Sequence, residues 1–128
     1  FVFDLKIKDR VFFLNEKKNL LEFYNGIDLL VLTSHSESFP NVVAEAMLCT
    51  TPVLSSNAGC SKKIISGCGF IMNNNDHLSI LKNLKRTIDI FKNNKKKWQS
   101  LKKNSRIKIK KDYSLEKMSN SYLKNWIF

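Results

Sequence analysis

Glu37 and Glu45 stand on either side of Pro40, with seven residues between the two acids. Proline has no N–H and clashes with the preceding turn, so the two glutamates are not successive turns of one helix. Pro40 instead suits the first turn of a helix that runs to about Leu48. Val42, Val43, Ala46 and Met47 give that helix an apolar face. Glu37 then belongs to the loop ahead of the helix and Glu45 to the helix itself. Paired carboxylates that accept hydrogen bonds from hydroxyls are a usual means of holding a ribose or hexose diol. From the spacing alone, a solvated loop acid and an exposed mid-helix glutamate are the plainer reading. The N–H groups of Asn41, Val42 and Val43 should point out of the helix end without intrahelical partners, an arrangement that favours phosphate.

The surrounding chain must position these groups. Val11-Phe12-Phe13-Leu14 reads as a short strand, and Leu20, Leu21, Phe23, Tyr24 and Ile27 have helical spacing. Leu29 to Thr33 is a continuous apolar run, as in a central parallel strand covered on both faces. The polar loop Ser34 to Ser38 follows it. Pro52 to Ser55 reads as a strand, Asn57 to Cys60 as a turn, Ser61 to Ser66 as a short helix, and Phe70 to Met72 as a further strand. Asp76 can cap a helix whose stripe of Leu78, Leu81, Leu84, Ile88 and Phe91 should pack on the sheet. A basic helix from about Lys95 to Lys110 comes next. A last helix, capped by Ser114, carries Leu115, Met118, Tyr122 and Trp126 on one stripe, read as packing residues like Trp98 and Tyr113. The order βαβαβαβααα implies an α/β fold: a Rossmann-like parallel sheet with helices on both faces. Ligands of such sheets bind outside the carboxyl ends of the strands, where the loop from Ser34 to Asn41 lies.

At 128 residues, 43% of them hydrophobic, the chain is the size of a single domain, 1–128, able to bury one core. It opens at Phe1 within an apolar pattern, which reads as a piece of a longer protein. Cys49, Cys60 and Cys68 are odd in number and lack paired C-x-x-C spacing, so reduced thiols in a cytoplasmic protein, and no metal site, are expected. The net charge of +11 is segregated: 7 Lys/Arg oppose 8 Asp/Glu up to residue 81, and 15 oppose 3 from residue 82 onward. Such a tail suits an anionic surface such as the inner face of a membrane, or is a solvated lysine-rich helix face. His35, in the loop next to the cleft, is read as exposed or touching a ligand; His77, after the Asp76 cap, is read as structural or solvent-facing.

The stretch from Asp28 to Ser56 resembles the signature of the retaining GT-B glycosyltransferases, often called glycosyl transferases group 1 or family 4. It contains E-x7-E as Glu37 and Glu45, Glu37-Ser-Phe-Pro40 where the family commonly has Glu-Gly-Phe-Pro, then Glu45-Ala-Met47 and Pro52-Val53. Asp9 to Leu14 and Gly67 to Ile71 are similar to flanking strands of the family. The resemblance implies the C-terminal half of a GT-B fold and a retaining hexosyltransferase, in bacterial glycolipid or polysaccharide synthesis. It implies a nucleoside diphosphate sugar donor, UDP favoured, with no cofactor and no metal. Glu37 would be the catalytic residue, binding hydroxyls of the donor hexose, and Glu45 would bind the ribose. The donor-binding set is Glu37, Ser38, Phe39, Pro40, Asn41, Val42 and Glu45, with backbone N–H groups from Phe39 to Val42 facing sugar and diphosphate.

The resemblance has gaps. Gly59-Cys60-Ser61-Lys62-Lys63 puts Cys and Lys where the family often has Gly and Glu. The family's upstream Gly-rich loop, its phosphate-binding Arg/Lys pair and its acceptor-binding N-terminal domain are not in this chain, which alone should not turn over. Two other classes compete: a basic nucleic-acid-binding or receiver-like signalling module, and a GT-B nucleotide-sugar epimerase. Neither brings its own motif, and nucleic acid is not the expected partner.

Overall fold

The computed structural model describes residues 4–126; the opening Phe1–Phe3 lies outside them. A 3-10 turn (Lys8–Arg10) leads to α1 (Leu20–Gly26), capped by Asn19, whose side chain accepts from the Glu22 N–H at 3.3 Å. Then follow β1 (Leu30–Leu32), α2 (Asn41–Leu48), β2 (Val53–Ser56), α3 (Ser61–Ile65) and β3 (Phe70–Met72). Three helices complete the order: α4 (His77–Asn93), α5 (Lys95–Asp112) and α6 (Leu115–Trp126). Asp76 accepts from the Ser79 N–H at 2.8 Å and Ser114 from the Lys117 N–H at 3.2 Å, so both expected caps form.

The sheet is parallel, in the order β1-β2-β3. Register places Leu30, Leu32, Val53, Ser55 and Ile71 on one face, and Val31, Leu54, Ser56, Phe70 and Met72 on the other. The first face meets α2, where Val53 joins buried Val43, Ala46, Met47, Ile64 and Ile65. Buried Ile109 brings α5 onto the back of α2, where the Ser105 hydroxyl lies 3.3 Å from the Met47 carbonyl. The second face meets α4 and Trp98 of α5, whose indole stacks on Phe70 at 6.4 Å and packs on Phe91 at 5.0 Å. The fold class is the α/β architecture expected.

Four details differ from the sequence reading. Val11–Leu14 forms no strand: Phe12 and Phe13 are 78% and 86% exposed, and among the described residues no strand pairs with the segment. β1 is an edge strand, with Val31 39% exposed, and the strand flanked on both sides is β2, all four of whose residues are buried. α4 packs through Ile80, Asn83, Leu84, Thr87 and Ile90, which leaves Leu78, Leu81, Ile88 and Phe91 exposed. Hydropathy misplaced that face because Thr87 is buried while its hydroxyl donates to the Asn83 carbonyl at 2.9 Å, a bond that periodicity does not register. Finally, Leu115, Met118, Tyr122 and Trp126 of α6 are all exposed, so the stripe read as packing residues contributes nothing to the buried core.

Candidate functional site

The carboxyl ends of the three strands converge, and side chains lock their loops together. The Ser56 hydroxyl donates to the Ser34 carbonyl at 2.6 Å, and the Asn75 amide donates to the Thr33 carbonyl. The Asn57 N–H donates to the Met72 carbonyl at 3.0 Å. Between these loops opens a pocket of about 110 Å³, lined by residues that include Ser34, His35, Asn57 and Asn73–Asn75. His35 is thus on the pocket wall, and His77 lies exposed at the start of α4.

The loop that carries Glu37 is held by its neighbour. Gly59 adopts φ +52°, and its Cα abuts the backbone so closely that a Cβ there would lie 1.9 Å from the Glu37 carbonyl oxygen and 2.7 Å from that of Ser38. One residue on, the Cys60 N–H donates to the Ser38 carbonyl at 3.2 Å. Glycine at position 59 therefore lets two backbones touch, a role that its reading as a plain turn residue missed. On the other side of the loop, Phe39 meets Tyr113 edge to face at 5.6 Å, which couples the loop to the end of α5.

Pro40 is the N-cap of α2, one residue ahead of the first-turn position expected, with φ −72° and ψ 90°. Its carbonyl accepts from the Val43 N–H at 3.0 Å. Val43 is accordingly not a free donor, against expectation. Asn41 and Val42 are both exposed, and their N–H groups make no backbone bond among the described residues. Those two, with the macrodipole behind them, form the anion-attracting end of the helix.

Glu45 shares the outer face of α2 with Asn41 and Val42, four and three residues back, while Val43, Ala46 and Met47 turn into the core. It is half-buried and accepts a hydrogen bond from the Tyr24 hydroxyl at 2.9 Å through Oε2. Glu37 is also half-buried, and Ser38 and Phe39 are exposed. The seven predicted residues therefore form a continuous loop and helix end, but none of them lines the pocket between the strand ends, and the two carboxylates make no direct bond to each other. Tyr24, Gly59, Asn57 and Asn73–Asn75 were not singled out from sequence. Only the cluster of asparagines at two strand ends was a visible signal.

The sequence profile of the family described as glycosyl transferases group 1 matches residues 3–108. N-acetyl-alpha-D-glucosaminyl L-malate synthase of Bacillus anthracis is 39% identical over 62 residues, which is 48% of this chain and 16% of that protein. The capsular polysaccharide biosynthesis glycosyltransferase CapM of Staphylococcus aureus is 28% identical over 113 residues, 81% of this chain and 29% of that protein. D-inositol 3-phosphate glycosyltransferase of Mycolicibacterium smegmatis is 41% identical over 58 residues, 44% of this chain and 13% of that protein. The chain thus spans less than a third of the length of these relatives. Among solved structures, sucrose-phosphate synthase from Thermosynechococcus elongatus superposes with a TM-score of 0.80 at 24% identity, over 98% of this chain and 32% of that one. That likeness extends to the fold.

Proposed function

This chain belongs to the glycosyl transferases group 1 family, and from that premise we propose that it is the donor-binding half of a retaining glycosyltransferase. It takes a nucleoside diphosphate sugar, with UDP the favoured nucleotide. An acceptor-binding domain outside these 128 residues completes the enzyme, in keeping with the greater length of the relatives. The observation that carries the reading is the start of α2, where the N–H groups of Asn41 and Val42, without a backbone bond among the described residues, follow the loop acid Glu37 and precede the helix acid Glu45 along the chain. The diphosphate sits at the helix end, Glu45 takes the ribose hydroxyls and Glu37 takes hydroxyls of the transferred hexose. As the bond from the anomeric carbon to the diphosphate breaks, negative charge grows on the leaving oxygen. Fixed N–H donors then stabilise the transition state more than the ground state. Ligand-observed saturation-transfer spectra with UDP, GDP, ADP and their sugars test this. Binding of at least one nucleoside diphosphate, competed by its own sugar, is expected, and silence from all three overturns the reading.

The enzyme is further proposed to work at an anionic membrane face on the cytoplasmic side, as glycolipid or polysaccharide synthesis would require. Support comes from α5: opposite its buried Trp98, Leu101, Ser105 and Ile109 lies a face with Lys96, Lys103, Lys110 and Lys111. Each lysine near an acidic leaflet contributes up to about 1 kcal/mol. Among the described residues no helix is long and apolar enough to cross a membrane. Sedimentation with vesicles of anionic lipid is expected to show binding at low salt that falls steeply as the Debye length shrinks below about 10 Å. Indifference to anionic vesicles at low salt, or retention at high salt, would refute charge-driven docking.

A further inference from the structure

We propose that Tyr24 is a positioning residue that sets the orientation of the Glu45 carboxylate for ribose, an inference that rests on the donor-site reading above. Tyr24 lies in the last turns of α1, 21 residues from Glu45 in sequence, and is only 4% exposed. Its ring belongs to the central core with Val43, Ala46 and Met47, and Phe23 packs on it edge to face at 5.6 Å. Both ends of the residue are fixed. Its carbonyl, left without a partner by the end of α1, accepts from the buried Thr51 hydroxyl at 2.6 Å. Its own hydroxyl reaches out of the core to Glu45 Oε2 at 2.9 Å. Thr51 immediately precedes Pro52 and β2, so the sheet, α1 and the outer face of α2 are joined through one residue, Tyr24, by its carbonyl and its hydroxyl.

The consequence for Glu45 is a division of labour between its oxygens. A free glutamate on a helix surface samples several rotamers, and each must be given up when a diol binds. With Oε2 engaged by a donor anchored in the core, the carboxylate is already oriented, and Oε1 together with the remaining lone pair of Oε2 is left to accept the ribose hydroxyls. The phenol suits this task because it stays protonated: burial first, and then the hydrogen bond to Glu45, push its pKa up to about 12. It is a donor at every pH at which the enzyme would work.

A merely structural role would have Glu45 serving Tyr24, by satisfying a buried hydroxyl, with no bearing on ligand. Tyr24→Phe separates the two, since phenylalanine keeps the ring packing and removes only the donor. The readout is the affinity of the protein for UDP and for 2′,3′-dideoxy-UDP, which lacks the hydroxyls that Glu45 would hold. In Tyr24→Phe, UDP binding is expected to weaken about tenfold, while binding of the dideoxy analogue stays unchanged. In a Glu45→Gln background, adding Tyr24→Phe should cost nothing further for UDP, because the oriented carboxylate is already gone. Equal losses for the two nucleotides, or a lower melting temperature with both affinities intact, would overturn the positioning role while leaving the donor site standing. Failure of the unaltered protein to bind UDP, GDP or ADP would remove the donor site and the positioning role together.

Discussion

Gly59→Ala is expected to abolish sugar transfer by the complete enzyme and to lower the stability of this domain. The new Cβ would fall 1.9 Å from the Glu37 carbonyl oxygen and 2.6 Å from the Glu37 carbonyl carbon, and these are backbone atoms that no rotamer change can move aside. Overpacking of this kind costs about 1–3 kcal/mol, and alanine at φ +52° adds about 1–2 kcal/mol more. Relief requires the two loops to separate, which also breaks the bond from the Cys60 N–H to the Ser38 carbonyl. Thermal unfolding should show a clear drop in midpoint, and transfer should be undetectable even well below it. Gly67→Ala is the matching control, because it combines φ +81° with open space around the Cβ, so it should lose stability but retain transfer. Full activity in Gly59→Ala would mean that the position of the Glu37 loop does not matter to function.

Glu37→Gln is the second large effect. The amide has nearly the shape of the carboxylate but presents one acceptor in place of two and carries no charge. If Glu37 holds hexose hydroxyls most tightly as the donor approaches its transition state, transfer in the complete enzyme should fall by about 100-fold or more. Affinity for the bare nucleoside diphosphate should change by no more than about twofold, since the hexose is absent from that ligand. Steady-state turnover and nucleotide titration on the same preparation measure both quantities. Equal losses in the two would argue that Glu37 contacts the nucleotide or only supports the fold.

Much of this architecture was legible in the residues themselves. Short apolar runs such as Val53 to Ser55 give parallel strands, and Asp76, Ser114 and Pro40 mark helix starts within a residue of where they occur. The glutamate pair was legible as loop acid and helix acid because proline divides them. What could not be read depended on partners distant in sequence. Phe12 and Phe13 look like strand residues, but a strand forms only against a neighbour, and here they stand exposed. Thr87 looks polar, yet it is buried at the centre of the α4 contact because its hydroxyl bonds within the helix. Tyr24 and Gly59 owe their importance to contacts across 21 and 22 residues of chain, with Glu45 and Glu37, which no local pattern encodes.

The most direct test of a donor site at the start of α2 is titration of nitrogen-15-labelled protein with UDP, following the backbone amides with and without Glu45→Ala. Saturable shifts are expected at Ser38, Phe39, Asn41, Val42 and Glu45, with smaller ones at Gly59 and Cys60 in the adjoining loop. In Glu45→Ala they should vanish, while the rest of the spectrum stays in place except around Tyr24, whose buried hydroxyl loses its acceptor. Shifts that persist in Glu45→Ala, or that map elsewhere on the domain, would contradict a nucleotide held by that helix end and its carboxylate.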